Sequence, residues 1–142
     1  MKNEPFIIES TYPAPAGKVW NAITDKDEMK QWYFKLAEFE PEVGFEFRFD
    51  GGPEDRDYHH VCKITEVIPG IKLEHTWSYE GYEGMSYVAW ELFPEGTNNT
   101  RVRLTHAGLE TFPKENADFA RNNFEQGWAG ILGTSLRDYL AK

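Results

Sequence analysis

The sequence predicts an α+β fold: one curved antiparallel sheet of about seven strands, closed by a single long C-terminal helix. The expected order is one strand, two helices, six strands and one helix. Three observations carry this expectation. Residues 115–140 run for about 26 residues without a proline, enough to span roughly 39 Å as a helix. On a helical projection Ala117, Ala120, Phe124, Trp128, Ile131, Leu132, Ser135 and Tyr139 share one stripe, with Leu136 at its edge. Between residues 36 and 107 the apolar period falls from about 3.6 to about 2. Short turn-rich links join those runs, as an antiparallel meander requires.

In chain order, residues 6–12 alternate, with Phe6, Ile8, Ser10 and Tyr12 on one face of a first strand. Pro13 and Pro15 end it and open a short helix carrying Ala16, Val19 and Ile23 at helical spacing, with Trp20 beside them. Asp25 is placed to cap a second short helix, and Glu28 completes a capping-box pattern. Met29, Trp32 and Tyr33 give that helix its apolar side. A short strand is expected over 36–40. Phe45, Phe47 and Phe49 then alternate with charged residues, and residues 51–55 read as a loop. A less regular strand covers 60–68, and Pro69-Gly70 turns into a run with Leu73, His75, Trp77 and Tyr79 inward. Val88, Trp90 and Leu92 mark the next strand, and Val102, Leu104 and His106 the last.

Composition narrows the function classes. With 142 residues, 40% hydrophobic and 15% aromatic, the chain can bury a core, and one domain over residues 1–142 is expected. The net charge of −9, without a block of Lys or Arg, argues against nucleic acid or an anionic membrane as partner. No apolar run suits a signal peptide or a membrane span, and the single cysteine, Cys62, excludes an internal disulfide. A cytoplasmic location is the expectation, with Cys62 a small core residue.

Motifs for several chemistries are missing. There is no Gly-x-Ser-x-Gly elbow, no Walker phosphate loop and no His-Glu-x-x-His zinc helix. Gly127, Gly130 and Gly133 lie inside a helix, so their spacing is no dinucleotide fingerprint. His59 and His60 are adjacent and would point to opposite faces of a strand, so no metal site is expected from them. No cofactor and no catalytic residue is expected.

A set of short motifs runs along nearly the whole chain. It comprises Ala14-Pro15-Ala16-Gly17-Lys18-Val19-Trp20 with Ala22-Ile23-Thr24, Trp32, Val43-Gly44, and the hairpin 66–73. Thr105-His106-Ala107-Gly108-Leu109, the Gly127-Trp128 pair, Leu132, Leu136 and Tyr139-Leu140 follow. In this order they resemble the helix-grip fold of the START-like (SRPBCC) superfamily, which includes birch-pollen allergens and polyketide cyclases. Within it the chain most resembles the family homologous to the C-terminal domain of the heat-shock protein 90 ATPase activator. The resemblance implies a single START-like domain. The eukaryotic activator has a further N-terminal domain to which nothing here corresponds, so stimulation of a chaperone ATPase is not expected.

A curved sheet around a helix leaves space between the two, where ligand cavities form. Phe45, Phe47, Phe49, Trp77, Trp90, Phe124 and Trp128 are expected either to wall such a cavity or to fill a plain core, with Phe47, Trp77, Trp90, Phe124 and Trp128 the cavity candidates. His75 and His106 stand in register with inward apolar residues, as satisfied core histidines or as polar points on that wall. Arg121 and Glu125 are four apart near the apolar stripe, either a surface ion pair or groups that orient a ligand's polar end. The expected function is binding of a small apolar or amphipathic molecule. Alternatives are an interaction module for a chaperone ATPase and a cyclase- or dehydratase-type enzyme.

Overall fold

A computed structural model describes residues 4–33, 36, 38–51 and 58–141 of the chain. The first strand, β1 (Phe6–Tyr12), leads into two short helices, α1 (Ala16–Thr24) and α2 (Lys26–Trp32). Five strands follow: β2 (Glu46–Gly51), β3 (Tyr58–Ile68), β4 (Lys72–Tyr79), β5 (Ser86–Pro94) and β6 (Thr100–Ala107). The C-terminal helix comprises α3 (Arg121–Gly130), a π-helical stretch (Ile131–Leu136) and α4 (Arg137–Leu140).

All strand pairs are antiparallel, in the order β1-β6-β5-β4-β3-β2. The first strand therefore pairs with the last, Phe6 opposite His106 and Tyr12 opposite Thr100. Inward residues alternate along each strand, as the period-two pattern requires: Leu73, His75, Trp77 and Tyr79 of β4 are all buried. β3 carries an irregularity between Ile64 and Glu66, consistent with its weaker alternation. Gly108, directly after β6, has φ +87°, and a Cβ there would meet the Met85 carbonyl oxygen at 2.9 Å. Only glycine satisfies both the left-handed backbone and that approach.

The sheet has six strands among the described residues, one fewer than expected. Leu36 and residues 38–40 form no strand. Leu36 and Phe39 are both buried although three positions apart, whereas a strand would send them to opposite faces. Residues 52–55 of the expected loop lie outside the described residues.

The long helix also starts later than expected. Asn116 accepts a hydrogen bond from the Asp118 N–H and caps a single 3-10 turn, Ala117–Phe119. Ala120 is then extended (ψ 146°) before α3 begins. Ala117 and Ala120 are thus not on the helical stripe. The buried positions are Phe124, Trp128, Leu132, Leu136 and Leu140, every fourth residue, so Leu136 is central rather than peripheral. In an α-helix of 3.6 residues per turn a four-residue step drifts by about 40°, and four such steps would carry Leu140 well off the sheet. The π-helical stretch has wider turns and takes up part of that drift. Tyr12 Oη donates to the Leu132 carbonyl within this stretch at 2.7 Å.

The short helices brace the long one. Lys18 Nζ donates to the Leu140 carbonyl at 3.0 Å, a cation at the helix C-terminus where the dipole favours it. Trp32 Nε1 donates to the Ala22 carbonyl at 2.9 Å and ties α2 to α1. Asp25 does cap α2, accepting from the Asp27 N–H at 2.8 Å. Glu28 departs from the capping-box expectation: the Asp25 N–H that it would accept from donates to the Asn21 carbonyl at 2.9 Å instead, and the Glu28 carboxylate accepts from Tyr139 Oη at 2.8 Å.

Candidate functional site: an aromatic cavity under the C-terminal helix

A cavity of about 360 Å³ lies between the open end of the sheet and the C-terminal helix. The β2–β4 strands contribute Gly51, Tyr58, His60, Trp77 and Tyr79 to it. The other wall comes from Asp118 and Phe119 of the 3-10 turn and from Asn123, Phe124, Gly127, Trp128 and Ile131 of the helix. Period-two alternation sets the sheet wall, since Tyr58 and His60 share a face, as do Trp77 and Tyr79. Four-residue spacing sets the helix wall through Phe124 and Trp128.

Rings dominate this site. Tyr79 stacks on Phe119 with centroids 4.7 Å apart, Tyr58 lies 5.2 Å from Phe119, and Trp77 meets Trp128 edge-on at 5.4 Å. Such pairs hold one another in place and make a stiff wall. Polar groups sit at defined points. Tyr58 Oη donates to Asp118 Oδ2 at 2.5 Å and accepts from Asn116 Nδ2 at 3.3 Å. The hydrogen bond to Asp118 is the chief reason the Tyr58 pKa is raised. Trp77 Nε1 donates to Tyr79 Oη at 2.9 Å, and burial keeps that phenol protonated. Burial holds His60 down to about 4, against two backbone carbonyls that favour its charged form, so it is neutral at pH 7.

Of the nine residues expected at the site, Trp77, Phe124 and Trp128 line this cavity. Phe47, His75 and Trp90 instead surround a void of about 10 Å³ beneath α2, at the lower limit for one water. His75 packs edge-on to Phe47 at 5.1 Å, and its Nδ1 lies 2.8 Å from the Thr76 carbonyl. Burial lowers its pKa to about 4.

His106 lies behind the wall, with both ring nitrogens engaged. Trp128 Nε1–H donates to His106 Nδ1 at 3.0 Å, which makes that nitrogen an acceptor. The ring proton is therefore on Nε2, 2.8 Å from Ser86 Oγ, and Ser86 donates onward to the Trp77 carbonyl at 2.8 Å. Burial, with a smaller contribution from His75, lowers the His106 pKa to about 3. His106 thus joins two wall tryptophans from the rear, as a satisfied core histidine.

Arg121 and Glu125 form an ion pair at 2.9 Å, with both side chains partly exposed. Arg121 also donates to the carbonyls of Glu4 and Pro5, so it ties the residues just before β1 to the helix start. Neither residue lines the cavity.

Tyr58, His60, Tyr79, Asp118 and Asn123 line the cavity although they are not among the nine residues expected there. The alternation of Tyr58 and His60 with inward Cys62 and Ile64 was a usable signal for two of them. Asp118 and Asn123 had none, since their placement follows from the break at Ala120. Cys62 is fully buried, and burial pushes its thiol pKa up, away from nucleophile chemistry. Among the described residues no group of three or more His, Cys, Asp or Glu could hold a metal ion. No helix among them is long and apolar enough to cross a membrane.

Solved structures share this architecture. The MLL2253 protein of Mesorhizobium loti is 24% identical with a TM-score of 0.78, covering 97% of each chain. CalU16 of Micromonospora echinospora is 25% identical with a TM-score of 0.73, over 95% of this chain and 73% of its own. DynU16, a protein of the dynemicin biosynthetic locus, is 23% identical with a TM-score of 0.79 over 98% of this chain. The chain spans only 48% of DynU16, about half its length. No curated protein sequence matches the chain. These likenesses show the fold, and a family model matched over residues 13–141 makes the assignment: the chain belongs to the Activator of Hsp90 ATPase homolog 1-like protein family.

Proposed function

We propose that the protein binds a small, ring-bearing amphipathic molecule in the aromatic cavity, acting as one START-like domain in the cytoplasm. The carrying observation is the cavity itself: about 360 Å³ lies within the range of roughly 300–1,000 Å³ for small-molecule sites, and its walls are mainly rings. Trp77 and Trp128 give an apolar floor held from behind by His106 and Ser86, while Tyr58, Asp118 and Asn123 offer polar atoms that fix orientation. No covalent step is part of this reading.

The test is a titration of isotope-labelled protein with ring compounds, read from amide and indole NMR signals. Shifts confined to 58–60, 77–79 and 118–131 are expected. Shifts spread over the outer sheet face, or none at all, would overturn the reading.

The family's name favours a second reading, interaction with a heat-shock chaperone ATPase. Dose-dependent stimulation in a steady-state ATPase assay would place that reading first; no stimulation is the expected result.

A further inference from the structure

We infer that the outer face of β4, β5, β6 and β1 docks a second copy of this chain, back to back about a two-fold axis. That face lies opposite the cavity, so the inference stands apart from what the cavity holds.

The strand register carries it. Along these strands the inward side chains are buried and the alternate ones face outward. One outward row crosses all four strands: Lys72 opposite Glu91, Glu91 opposite Arg103, and Arg103 opposite Glu9. Its charges run plus, minus, plus, minus. Neighbouring rows set Phe93 opposite Arg101, Ala89 opposite Thr105 and Tyr87 opposite Ala107.

A two-fold axis lying in the plane of contact, parallel to the strands and between β5 and β6, sets β5 of one copy on β6 of the other. It also sets β4 on β1 and keeps every row in register. The alternating row is then its own complement: Glu91 meets Arg103 of the other copy, and Lys72 meets Glu9. A row ordered plus, minus, minus, plus would bring like charges together instead. Sizes match as well, since the Tyr87 ring falls over the methyl group of Ala107. Phe93 meets Arg101, a pairing already made within the chain, where the guanidinium lies 4.4 Å from the ring centre. Strands related in this way run side by side, which is the aligned class of sheet packing.

Two groups on this face lack a full complement within the chain. Tyr87 is 46% exposed with only Thr76 and Ala107 opposite it. Lys72 pairs with Glu66 at 2.9 Å and Arg103 Nε with Glu9 at 2.7 Å, while Glu91 between them makes no direct ion pair among the described residues. Arg103 keeps further N–H donors for a carboxylate of the other copy. Glu74, which would face Ile7, is held at its own edge by Thr65 Oγ1 at 2.9 Å. A twisted sheet wrapped on a helix presents a convex outer face, so contact is closest at β5 and β6, and Lys72 and Glu9 have the reach for the wider gap. Four strands about 4.8 Å apart and seven residues long give roughly 450 Å² of flat face per copy. Two such faces stand at the low end for specific interfaces, so association is weak and concentration-dependent.

The experiment is sedimentation velocity on the full chain from about 1 to 500 µM, at low and at high salt. A shift from monomer to dimer with rising concentration is expected, weakened severalfold by high salt. Tyr87→Lys should leave a monomer throughout, because it replaces the ring beside the axis with a charge. Glu91→Arg and Arg103→Glu should each weaken dimerisation by about tenfold or more, since each sets like charges across the axis. Mixed in equal amounts, these two variants should associate almost as well as the wild type, each copy offering the charge the other lacks. A wild-type chain that stays monomeric at every concentration overturns the inference. So does a dimer that Tyr87→Lys leaves intact, or a pair of charge variants that does not recover on mixing. Should Arg103→Glu fold poorly, the wild-type series with Tyr87→Lys and Glu91→Arg decides the matter.

Discussion

The Trp128 indole donates its N–H to His106 Nδ1 at 3.0 Å, with both side chains buried. That bond fixes the histidine tautomer, and through Ser86 it ties the C-terminal helix to the β4 backbone at Trp77. The helix is thus fastened to the sheet by a directional contact at the centre of its apolar stripe. The same contact sets the plane of an indole that faces the cavity.

Trp128→Ala should therefore be costly in two ways. It removes a large buried aromatic, worth about 3–5 kcal/mol, and it leaves His106 Nδ1 without its donor. Trp128→Phe keeps most of the ring but loses the donor, and should cost less, about 1–3 kcal/mol. Urea unfolding of both variants checks this ranking. A Trp128→Phe variant as stable as the wild type would show that packing alone holds the helix.

Stability should fall in mild acid. Burial lowers His60 and His75 to about 4 and His106 to about 3, from 6.5 in the unfolded chain. Because the folded values are depressed, the unfolded chain takes up the protons first. The stabilisation is fully present above about pH 6.5 and is lost as pH falls through that value toward the folded ones. Each histidine contributes up to about 1.4 kcal/mol per pH unit in that window, so three give about 4 kcal/mol per unit at most. Carboxylates titrate mainly lower, so a drop in the urea midpoint already between about pH 6.5 and 5 reports the histidines. A flat midpoint there would show that their burial is incomplete.

Much of this fold was legible in the sequence because periodicity records burial. Phe47 and Phe49, or Trp77 and Tyr79, could only be strand residues with one face inward. Leu136 was misplaced at the stripe's edge because an ideal helical projection assumes 3.6 residues per turn throughout, and the π-helical stretch breaks that assumption. The site was harder to read. His75 and His106 carry the same inward register as the ring residues beside them, and register alone does not separate a cavity wall from the packing behind it. The Tyr58–Asp118 bond joins residues 60 positions apart and leaves no local trace.

Tyr12 offers a direct test of the π-helical stretch. Its hydroxyl donates to the Leu132 carbonyl at 2.7 Å, and neither residue has measurable exposure. Tyr12→Phe keeps the ring and removes the only polar atom of the side chain, leaving a buried carbonyl short of its partner. A loss of about 1–3 kcal/mol is expected from thermal or urea unfolding. An unchanged stability would mean that the carbonyl finds another donor.

Gly127 separates stability from binding. It lies within α3 and borders the cavity, and a Cβ built there meets no heavy atom within 4 Å outside the helix's own nearby backbone. Glycine inside a helix costs about 0.5–1 kcal/mol relative to alanine, so Gly127→Ala should raise the unfolding free energy by that amount. Its single methyl takes little of the cavity, and binding of a ring probe such as naphthalenemethanol should survive. Gly127→Leu also gains helix propensity, but its larger side chain has the cavity beside it to fill. The leucine variant should fold at least as stably as the wild type and lose naphthalenemethanol binding by about tenfold or more, since an occupied pocket forfeits the ligand's burial. Unfolding curves and NMR titrations on the same two variants make the comparison. If leucine leaves probe affinity unchanged, the ligand sits elsewhere and the cavity between sheet and helix is not the site.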